Sequence, residues 1–254
     1  MIYICIPAYD EAATVGLLLW KIRRVMGEFP RDYEILVLDD ASTDATQDVL
    51  APYTRVLPLT VLRNAHRQGY APSIERLLEE AVARATHPRR DVVVVLQADF
   101  SEAPEEIPAL VKRMEGGADV VEGAVVRHEG EVPRRMQWVH GGVSWLLRRA
   151  PLPEGSRDPL SGFRAYRVSV LKRALAARNG APLLSREGWA ANLELLLAVA
   201  PHARRIDGTD VVRRYDRRRR ETRFRPWNTL VQLWDVARRA RRAPPSVPST
   251  DAAS

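Results

Sequence analysis

Glu34-Ile-Leu-Val-Leu-Asp39-Asp40 and Asp91-Val-Val-Val-Val-Leu-Gln97-Ala98-Asp99 are the two stretches that decide the fold. Each is a short apolar run of the kind found in strands that are buried on both faces of a parallel sheet. Each run also ends in acidic residues. Because open α/β sheets bind ligands outside the carboxyl ends of their strands, the two ends predict a site for a nucleotide and a metal. We therefore expect an enzyme.

Strand and helix patterns alternate on both sides of these stretches. The predicted strands are Ile2–Ile6, Glu34–Leu38, Arg55–Leu62, Asp91–Leu96, Val120–Val126, Arg164–Tyr166 and Arg204–Tyr215. The predicted helices are Glu11–Met26, Thr43–Leu50 with Ser42 or Thr43 as its cap, Pro72–Ala85, Glu105–Glu115, Arg134–Leu147, Ser169–Ala177 and Ala190–Ala200. This βαβ rhythm predicts an α/β fold with a mostly parallel central sheet, right-handed crossovers and flanking helices.

Composition limits the classes of partner. The chain has 254 residues, a net charge of +7 and one cysteine, Cys5, which fits a reducing compartment. It has no run of about 20 apolar residues and no basic signal segment, so we expect a cytoplasmic protein, or one attached to a membrane surface. The positive charge favours phosphate-bearing partners. Nucleic acid is the weakest of these, because the basic residues form no recognisable reading motif.

The C-terminal segment 226–242 is predicted to be an amphipathic basic helix, followed by a disordered tail at 243–254. Trp227, Leu230, Val231 and Trp234 would share one stripe of this helix. Four arginines follow within the segment, so it could lie on an anionic membrane surface. Packing of the helix against the domain is an equal alternative.

The loops after the predicted strands carry candidate site residues, each with a structural alternative. Tyr9 could stack on a base, and Glu11 could reach a ribose or a base edge, or the two could form an ordinary strand-to-helix turn. Asp39 directly follows an apolar strand, where burying a charge is costly, which favours a functional role. Arg67 could face a phosphate near a helix start, or lie in a polar loop.

Two further motifs suit phosphate and metal chemistry. Asp99 is a suitable ligand for Mg²⁺ or Mn²⁺, and Gln97 is a neutral amide that could contact ribose or metal. Arg157 and Ser161 lie in a glycine-containing loop, and an arginine fork suits phosphate, although a salt-bridged loop is the alternative. The densest positive charge is 213–223, which is either a solvated face or a phosphate-binding stretch.

Together these motifs resemble family 2 glycosyltransferases, and most closely the dolichyl- or polyprenyl-phosphate hexosyltransferase branch. The matching segments, in chain order, are Pro7-Ala-Tyr9-Asp-Glu11 with P-x-Y-N-E, Leu38-Asp39-Asp40-Ala-Ser42-Thr-Asp44 with V-D-D-G-S-T-D, Asn64 to Ala71 with N-x-x-G-x-G-x-A, Gln97-Ala98-Asp99-Phe-Ser101 with D-A-D-L-Q, and Arg157-Asp158-Pro-Leu-Ser161-Gly162-Phe163 with R-D-P-x-S-G-F. Order and spacing agree over residues 1 to about 225.

The resemblance implies a GT-A fold in a single domain, 1–225, with a nucleotide-sugar-binding half at 1–126 and an acceptor half at 127–225. It implies a GDP-mannose- or UDP-glucose-type donor, Mg²⁺ or Mn²⁺, and a polyprenyl phosphate acceptor. By position, the donor would be held by Pro7, Tyr9, Glu11, Asp39, Asp40, Gln97, Ala98 and Asp99, and the metal by Asp99 and Gln97. The acceptor phosphate would be held by Arg134, Arg135, Arg157, Ser161, Arg217, Arg220 and Arg223. The catalytic residues would be Asp99, Asp158 and Arg157.

The chain departs from the family pattern at two positions of the metal motif. Gln97 stands in place of the first metal-binding aspartate, and Ser101 replaces a glutamine. Fewer anionic ligands should weaken metal binding, so the metal would bind together with the donor's diphosphate. A phosphate acceptor needs no general base, whereas a hydroxyl acceptor would need one, for which Asp158 is the candidate. The alternatives are transfer to a soluble acceptor, or a catalytically silent nucleotide-binding scaffold.

Overall fold

The computed structural model describes residues 1–129, 151–214 and 226–242. Several predictions lie outside the described residues: the helix Arg134–Leu147, the tail from residue 243, and the phosphate-binding candidates Arg134, Arg135, Arg217, Arg220 and Arg223.

The described residues contain a central seven-stranded sheet. Its strands are β1 (Ile2–Ala8), β2 (Tyr33–Asp39), β3 (Leu59–Arg63), β4 (Val92–Val95), β5 (Val120–Glu129), β6 (Arg164–Arg167) and β7 (Ile206–Arg214). The order across the sheet is β3-β2-β1-β4-β6-β5-β7. Only β6 runs antiparallel to its neighbours, β4 and β5, and the other four strand pairs are parallel. The predicted mostly parallel sheet is therefore confirmed.

Helices cover both faces of this sheet. They are α1 (Val15–Glu28), α2 (Thr46–Leu50), α3 (Tyr70–Arg84), α4 (Ile107–Glu115), α5 (Val168–Ala177), α6 (Gly188–Val199) and α7 (Pro226–Arg242), with 3₁₀ turns at Ala51–Arg55, Pro104–Glu106 and Ala200–His202. Alternate residues of each strand enter opposite cores. In β1, Ile4 joins the core under α1 and α4, and Cys5 joins the core under α3, α5 and α6. Covering both faces leaves the carboxyl ends of the strands as the open edge.

Three predicted elements begin three or four residues later than expected. The helix predicted at Glu11–Met26 begins at Val15. The helix predicted at Thr43–Leu50 begins at Thr46, and neither Ser42 nor Thr43 caps it. The Ser42 hydroxyl instead accepts the N–H of Asp10, 2.9 Å away, so it serves the neighbouring loop. The strand predicted at Arg55–Leu62 begins at Leu59, because Ala51–Arg55 forms a 3₁₀ turn with proline in its first turn.

The helix α7 packs on the domain through a face that was not predicted. Leu233, Val236 and Ala237 are buried against Ala190 and Leu193 of α6. The predicted stripe includes Val231 and Trp234, which are 62% and 52% exposed. Packing against the domain is therefore correct, and a separate apolar face stays in solvent. In the described part of the chain, no helix combines the length and the apolar character needed to cross a membrane.

Candidate active site

The loops after β1 and β2 are joined by hydrogen bonds at the open edge of the sheet. The N–H of Asp10 donates to the Ser42 hydroxyl at 2.9 Å, and the N–H of Glu11 donates to the Thr46 hydroxyl at 2.8 Å. In return, the Asp10 carboxylate accepts the N–H of Thr43 at 2.7 Å. These bonds hold the backbone around the predicted donor residues Pro7, Tyr9 and Glu11 in one arrangement.

Asp39, at the end of β2, has a buried carboxylate at this edge. Its side chain is fully buried, and Oδ1 accepts the N–H of Ser42 at 2.9 Å. Oδ2 is buried and accepts no hydrogen bond from the described residues, and the Nε of Arg63 lies 3.5 Å away, within ion-pair distance. A buried carboxylate oxygen without a donor is costly, and a ligand N–H or O–H would remove that cost.

Asp40 organises the loop between β3 and α3. Its Oδ1 accepts the Asn64 amide at 2.7 Å and the N–H of Gln68 at 2.8 Å, and its Oδ2 accepts the N–H of Gly69 at 2.8 Å. These three bonds occupy the carboxylate that was predicted to touch the donor. In this conformation Asp40 therefore fixes the loop that carries Arg67.

Arg67 lies on the ring of Tyr9. The guanidinium carbon is 4.1 Å from the ring centroid, well inside the range of a cation–π contact. The structure thus brings together two residues that were expected to act separately, one on a base and the other on a phosphate.

The segment Gln97-Ala98-Asp99 turns sharply after β4. The N–H of Gln97 donates to the buried Glu102 carboxylate at 2.8 Å, and Asp99 Oδ1 accepts the N–H of Ser101 at 3.0 Å. Asp99 is 7% exposed. Within residues 1–129, 151–214 and 226–242, no three acidic, histidine or cysteine side chains form a cluster that could hold a metal. One carboxylate and an amide fit a divalent cation held largely by a donor's diphosphate.

Backbone strain marks the same edge. Asp10, Ala41 and Phe100 have φ angles of 53°, 56° and 61°, a region that non-glycine residues seldom adopt. Each follows one of the strands β1, β2 and β4 that end at the site. Such strain persists where the surrounding structure fixes the backbone, and it concentrates at functional sites.

A buried ion pair supports the loop that carries Arg157 and Asp158. Glu122 of β5 and Arg164 of β6 are both fully buried, with Oε1 and Nη2 3.3 Å apart. Glu122 Oε2 also accepts the N–H groups of Arg157 at 2.7 Å and Asp158 at 2.8 Å. Arg164 donates to the Asp158 carbonyl at 3.3 Å and to the Pro159 carbonyl at 3.2 Å. Glu122 thus binds the N–H groups of this irregular loop, and Arg164 binds its carbonyl groups.

The predicted acceptor residues in this loop have different surroundings. Arg157 is half-exposed and pairs with Asp210 at 2.6 Å, and its stem lies against Gly208, where a Cβ would be 2.7 Å from Arg157 Cδ. The Ser161 hydroxyl is buried and donates to the Phe163 carbonyl at 3.2 Å. Arg157 therefore presents its guanidinium to solvent, whereas Ser161 stabilises the loop in this conformation.

Glu187 crosses from the start of α6 to the start of α3. Its Oε2 accepts the N–H of Tyr70 at 2.9 Å, and a Cβ on Gly69 would be 2.7 Å from its Oε1. Burial raises the pKa of Glu187, the N–H groups of Tyr70 and Ala71 lower it, and the Asp40 charge raises it further. Gly69 has a φ of 103°, so a side chain there would be both strained and obstructed.

The family model described as Glycosyl transferase family 2 matches residues 3–175, which is more than half of the chain. The chain belongs to glycosyl transferase family 2. The structural likenesses below agree with the GT-A fold.

Two curated relatives of this glycosyltransferase have names that refer to a polyprenyl phosphate. Dolichol-phosphate mannosyltransferase of Pyrococcus furiosus is 30% identical over 173 residues, which is 66% of this chain and 47% of the relative. Undecaprenyl-phosphate 4-deoxy-4-formamido-L-arabinose transferase of Pseudomonas aeruginosa is 28% identical over 211 residues, 82% of this chain and 59% of the relative. The chain spans about half the length of the curated relatives it matches.

Solved glycosyltransferase structures share the fold at low sequence identity. Glucosyl-3-phosphoglycerate synthase from Mycobacterium tuberculosis, in complex with Mn²⁺, UDP-glucose and phosphoglyceric acid, has a TM-score of 0.63 and 19% identity, over 97% of this chain and 81% of that one. S. aureus TarS in complex with UDP has a TM-score of 0.57 and 16% identity, over 84% and 60% of the two chains. Identities this low show the fold alone.

Four side chains of this glycosyltransferase domain were missed from the sequence: Glu122, Arg164, Glu187 and Asn192. Glu122 carried a visible signal, because it is a charged residue inside the apolar strand Val120–Val126. Asn192 accepts the Tyr70 hydroxyl at 2.8 Å and donates to the Leu160 carbonyl at 3.0 Å, which ties α3 to the Asp158–Gly162 loop. No sequence pattern indicates that contact, since its partners are 122 and 32 positions away.

Proposed function

We propose that this glycosyltransferase moves a hexose from a GDP- or UDP-sugar to polyprenyl phosphate, with inversion at the anomeric carbon. The observation that carries the donor half of the proposal is the buried Oδ2 of Asp39, which accepts no hydrogen bond. Guanine and uracil both offer a ring N–H to such an acceptor, and Arg63 at 3.5 Å can donate to the carbonyl beside that N–H. The two structural relatives were solved with UDP and with UDP-glucose, which supports a nucleotide-sugar as the donor class.

The donor's diphosphate would lie beside Asp99 and Gln97, with Mg²⁺ or Mn²⁺ bound between it and the protein. The metal, when bound, neutralises charge on the departing diphosphate. Asp99 would hold that ion, and the Gln97 amide would orient the ribose or diphosphate. Since Asp99 is the one anionic side chain of the segment Gln97 to Ser101, we expect metal affinity to be much higher with nucleotide than without it.

The acceptor proposal rests on Arg157 and on the names of the curated relatives. Arg157 is held through its backbone by Glu122, and its half-exposed side chain pairs with Asp210 at 2.6 Å, so a phosphate would replace Asp210 as the partner of the guanidinium fork. A phosphate dianion is already a nucleophile, so the protein need only position it behind the anomeric carbon. Arg134, Arg135, Arg217, Arg220 and Arg223 stay predicted contributors to phosphate binding.

The exposed face of α7 supports contact with the membrane in which a polyprenyl phosphate resides. Val231 and Trp234 are more than half exposed, and the guanidinium carbon of Arg238 lies 5.3 Å from the centroid of the Trp234 ring. The opposite face of α7 is packed near Leu160, in the loop that follows Asp158. A basic, tryptophan-bearing face beside the proposed acceptor site suits an anionic lipid surface.

Transfer to a soluble hydroxyl acceptor is the second candidate, and Glu187 is the observation that favours it. A hydroxyl acceptor needs a general base, and a carboxylate whose pKa is raised by burial suits that role. Asp158, predicted as the base, accepts the N–H groups of Val125 and Leu160 at 3.3 Å each, and Glu187 accepts the N–H of Tyr70 at 2.9 Å, so either carboxylate would exchange a backbone donor for the acceptor hydroxyl. If a hydroxyl is the acceptor, Glu187→Gln should abolish transfer, whereas phosphate transfer should persist.

The donor proposal is tested by thermal shift against GDP, UDP, ADP and dTDP, each with and without Mn²⁺. A ligand that binds only the folded state raises the melting temperature by mass action, by an amount set by its concentration relative to its Kd. We expect a shift with GDP or UDP that increases with Mn²⁺. Absence of a shift with all four nucleotides would contradict the donor proposal and favour a scaffold without catalytic activity.

A further inference from the structure

The contact between Arg67 and Tyr9 covers a ring that a donor base was expected to use. The guanidinium carbon lies 4.1 Å from the ring centroid, which is stacking distance. Tyr9 is half-buried at the end of β1, and Arg67 is exposed in the loop between β3 and α3. In the related sequence pattern a glycine is expected at position 67, which would leave the tyrosine face open.

Both partners of this contact are on loops with fixed backbones. Gln68, next to Arg67, donates its N–H to Asp40 at 2.8 Å. Asp10, next to Tyr9, donates its N–H to the Ser42 hydroxyl at 2.9 Å. The backbones on both sides of the stacked pair are therefore held in place. A base that stacked on Tyr9 itself would have to displace the Arg67 guanidinium.

We infer that the outer face of the Arg67 guanidinium is the surface on which the donor's base stacks, with the Tyr9 ring supporting it from behind. The inference rests on the proposed nucleotide-sugar donor. A guanidinium is planar and weakly hydrated, so it can stack on an aromatic ring and on a base at the same time. Every base has a π-face, so this surface would hold the base while Asp39 reads its edge.

The alternative role for Arg67 is a contact with the diphosphate near the start of α3. Carboxylates already occupy that helix end. Asp40 accepts the N–H of Gly69 at 2.8 Å, and Glu187 accepts the N–H of Tyr70 at 2.9 Å. A diphosphate placed there would meet two negative charges, which disfavours it electrostatically. The base-stacking role is therefore the one that the surroundings of Arg67 favour.

The two roles separate in a titration that compares nucleosides with nucleoside diphosphates. Guanosine, GDP, uridine and UDP are titrated into the wild-type protein, Arg67→Ala and Arg67→Lys, and binding is measured calorimetrically. For the base that binds the wild type, Arg67→Ala should lower the affinity for the nucleoside and for the nucleoside diphosphate by the same factor, about 3- to 30-fold. Arg67→Lys keeps the positive charge but lacks the planar guanidinium, so it should lower the affinity for the nucleoside nearly as much as Arg67→Ala does.

Arg89→Ala is the matched control, because it removes the same charge from an exposed position just before β4, at the opposite end of the strands. It should leave all four affinities unchanged. The inference is wrong if Arg67→Ala binds as tightly as the wild type, or if only the diphosphates lose affinity. If the wild-type protein binds none of the four compounds, the proposed donor site fails, and the inference fails with it.

Discussion

Removal of the Glu122 carboxylate should destabilise the domain strongly. Glu122 and Arg164 are both 0% exposed and form a buried ion pair at 3.3 Å. In Glu122→Ala the Arg164 charge would stay buried without its counterion. The N–H groups of Arg157 and Asp158, which now donate to Glu122 at 2.7 and 2.8 Å, would lose their acceptor.

The expected loss follows from these contacts. Removing one partner of a buried ion pair costs about 3 to 5 kcal/mol, most of it from the charge left behind. We expect at least this loss, because two loop N–H groups are orphaned as well. Domains are typically stable by about 5 to 15 kcal/mol, so the variant should be marginal. Glu122→Gln keeps an acceptor oxygen for the loop and should lose less than Glu122→Ala.

Urea denaturation at pH 7 measures this loss as a lower midpoint with an unchanged slope. Glu115→Ala is the matched control, because it breaks an exposed ion pair. Glu115 lies 2.7 Å from Arg31, and the side chains of Arg31 and Glu115 are 46% and 43% exposed. That surface pair should be worth less than about 1 kcal/mol. Equal losses for Glu122→Ala and Glu115→Ala would refute the reasoning.

Four further predictions concern the site edge and the surface. Ala41→Gly should raise the free energy of unfolding by about 0.5 to 1 kcal/mol, because Ala41 has a φ of 56°; a urea midpoint below that of the wild type would contradict this. Asp99→Asn should keep the melting temperature and lower transfer at least about 100-fold in a turnover assay; unchanged turnover would remove Asp99 from the site. Trp234→Ala should weaken sedimentation with anionic vesicles, whereas Trp20→Ala, also about half exposed, should not; equal effects would refute a specific α7 face. Because burial raises the pKa of Glu187, the wild type should lose stability relative to Glu187→Gln as the pH rises from about 4.3 through the folded-state pKa; parallel urea curves at each pH would contradict this.

The sheet, and the open edge where the loops after β1 and β2 meet, were largely predictable because their signals are local. The apolar runs of β1, β2 and β4 are buried on both faces, so each reads as a strand without knowledge of its neighbours. Asp39 stood out because its charge directly follows such a run, and the structure gives it a buried oxygen that accepts no hydrogen bond from the described residues. For the strands and for Asp39, the residues that determine the structure are adjacent in the sequence.

The missed features depend on contacts between distant residues. The loop that carries Arg157 and Asp158 is held by Glu122 and Arg164, 42 positions apart, and Glu187 reaches Tyr70 across 117 positions. Ser42 was predicted as a cap of its own helix, but it serves Asp10, 32 positions away. In α7 the periodic pattern contained two apolar faces, and only tertiary packing decides that Leu233 rather than Trp234 is buried.

The most direct test of the proposed function is transfer itself. The protein is incubated with Mn²⁺, a short-chain polyprenyl phosphate and either GDP-mannose or UDP-glucose, and the lipid product is identified by mass spectrometry and its anomeric configuration by NMR. We expect one of the donors to yield a glycosyl phosphate of inverted configuration, with Asp99→Asn inactive. A retained configuration, or no glycosylated lipid from either donor, would contradict the account.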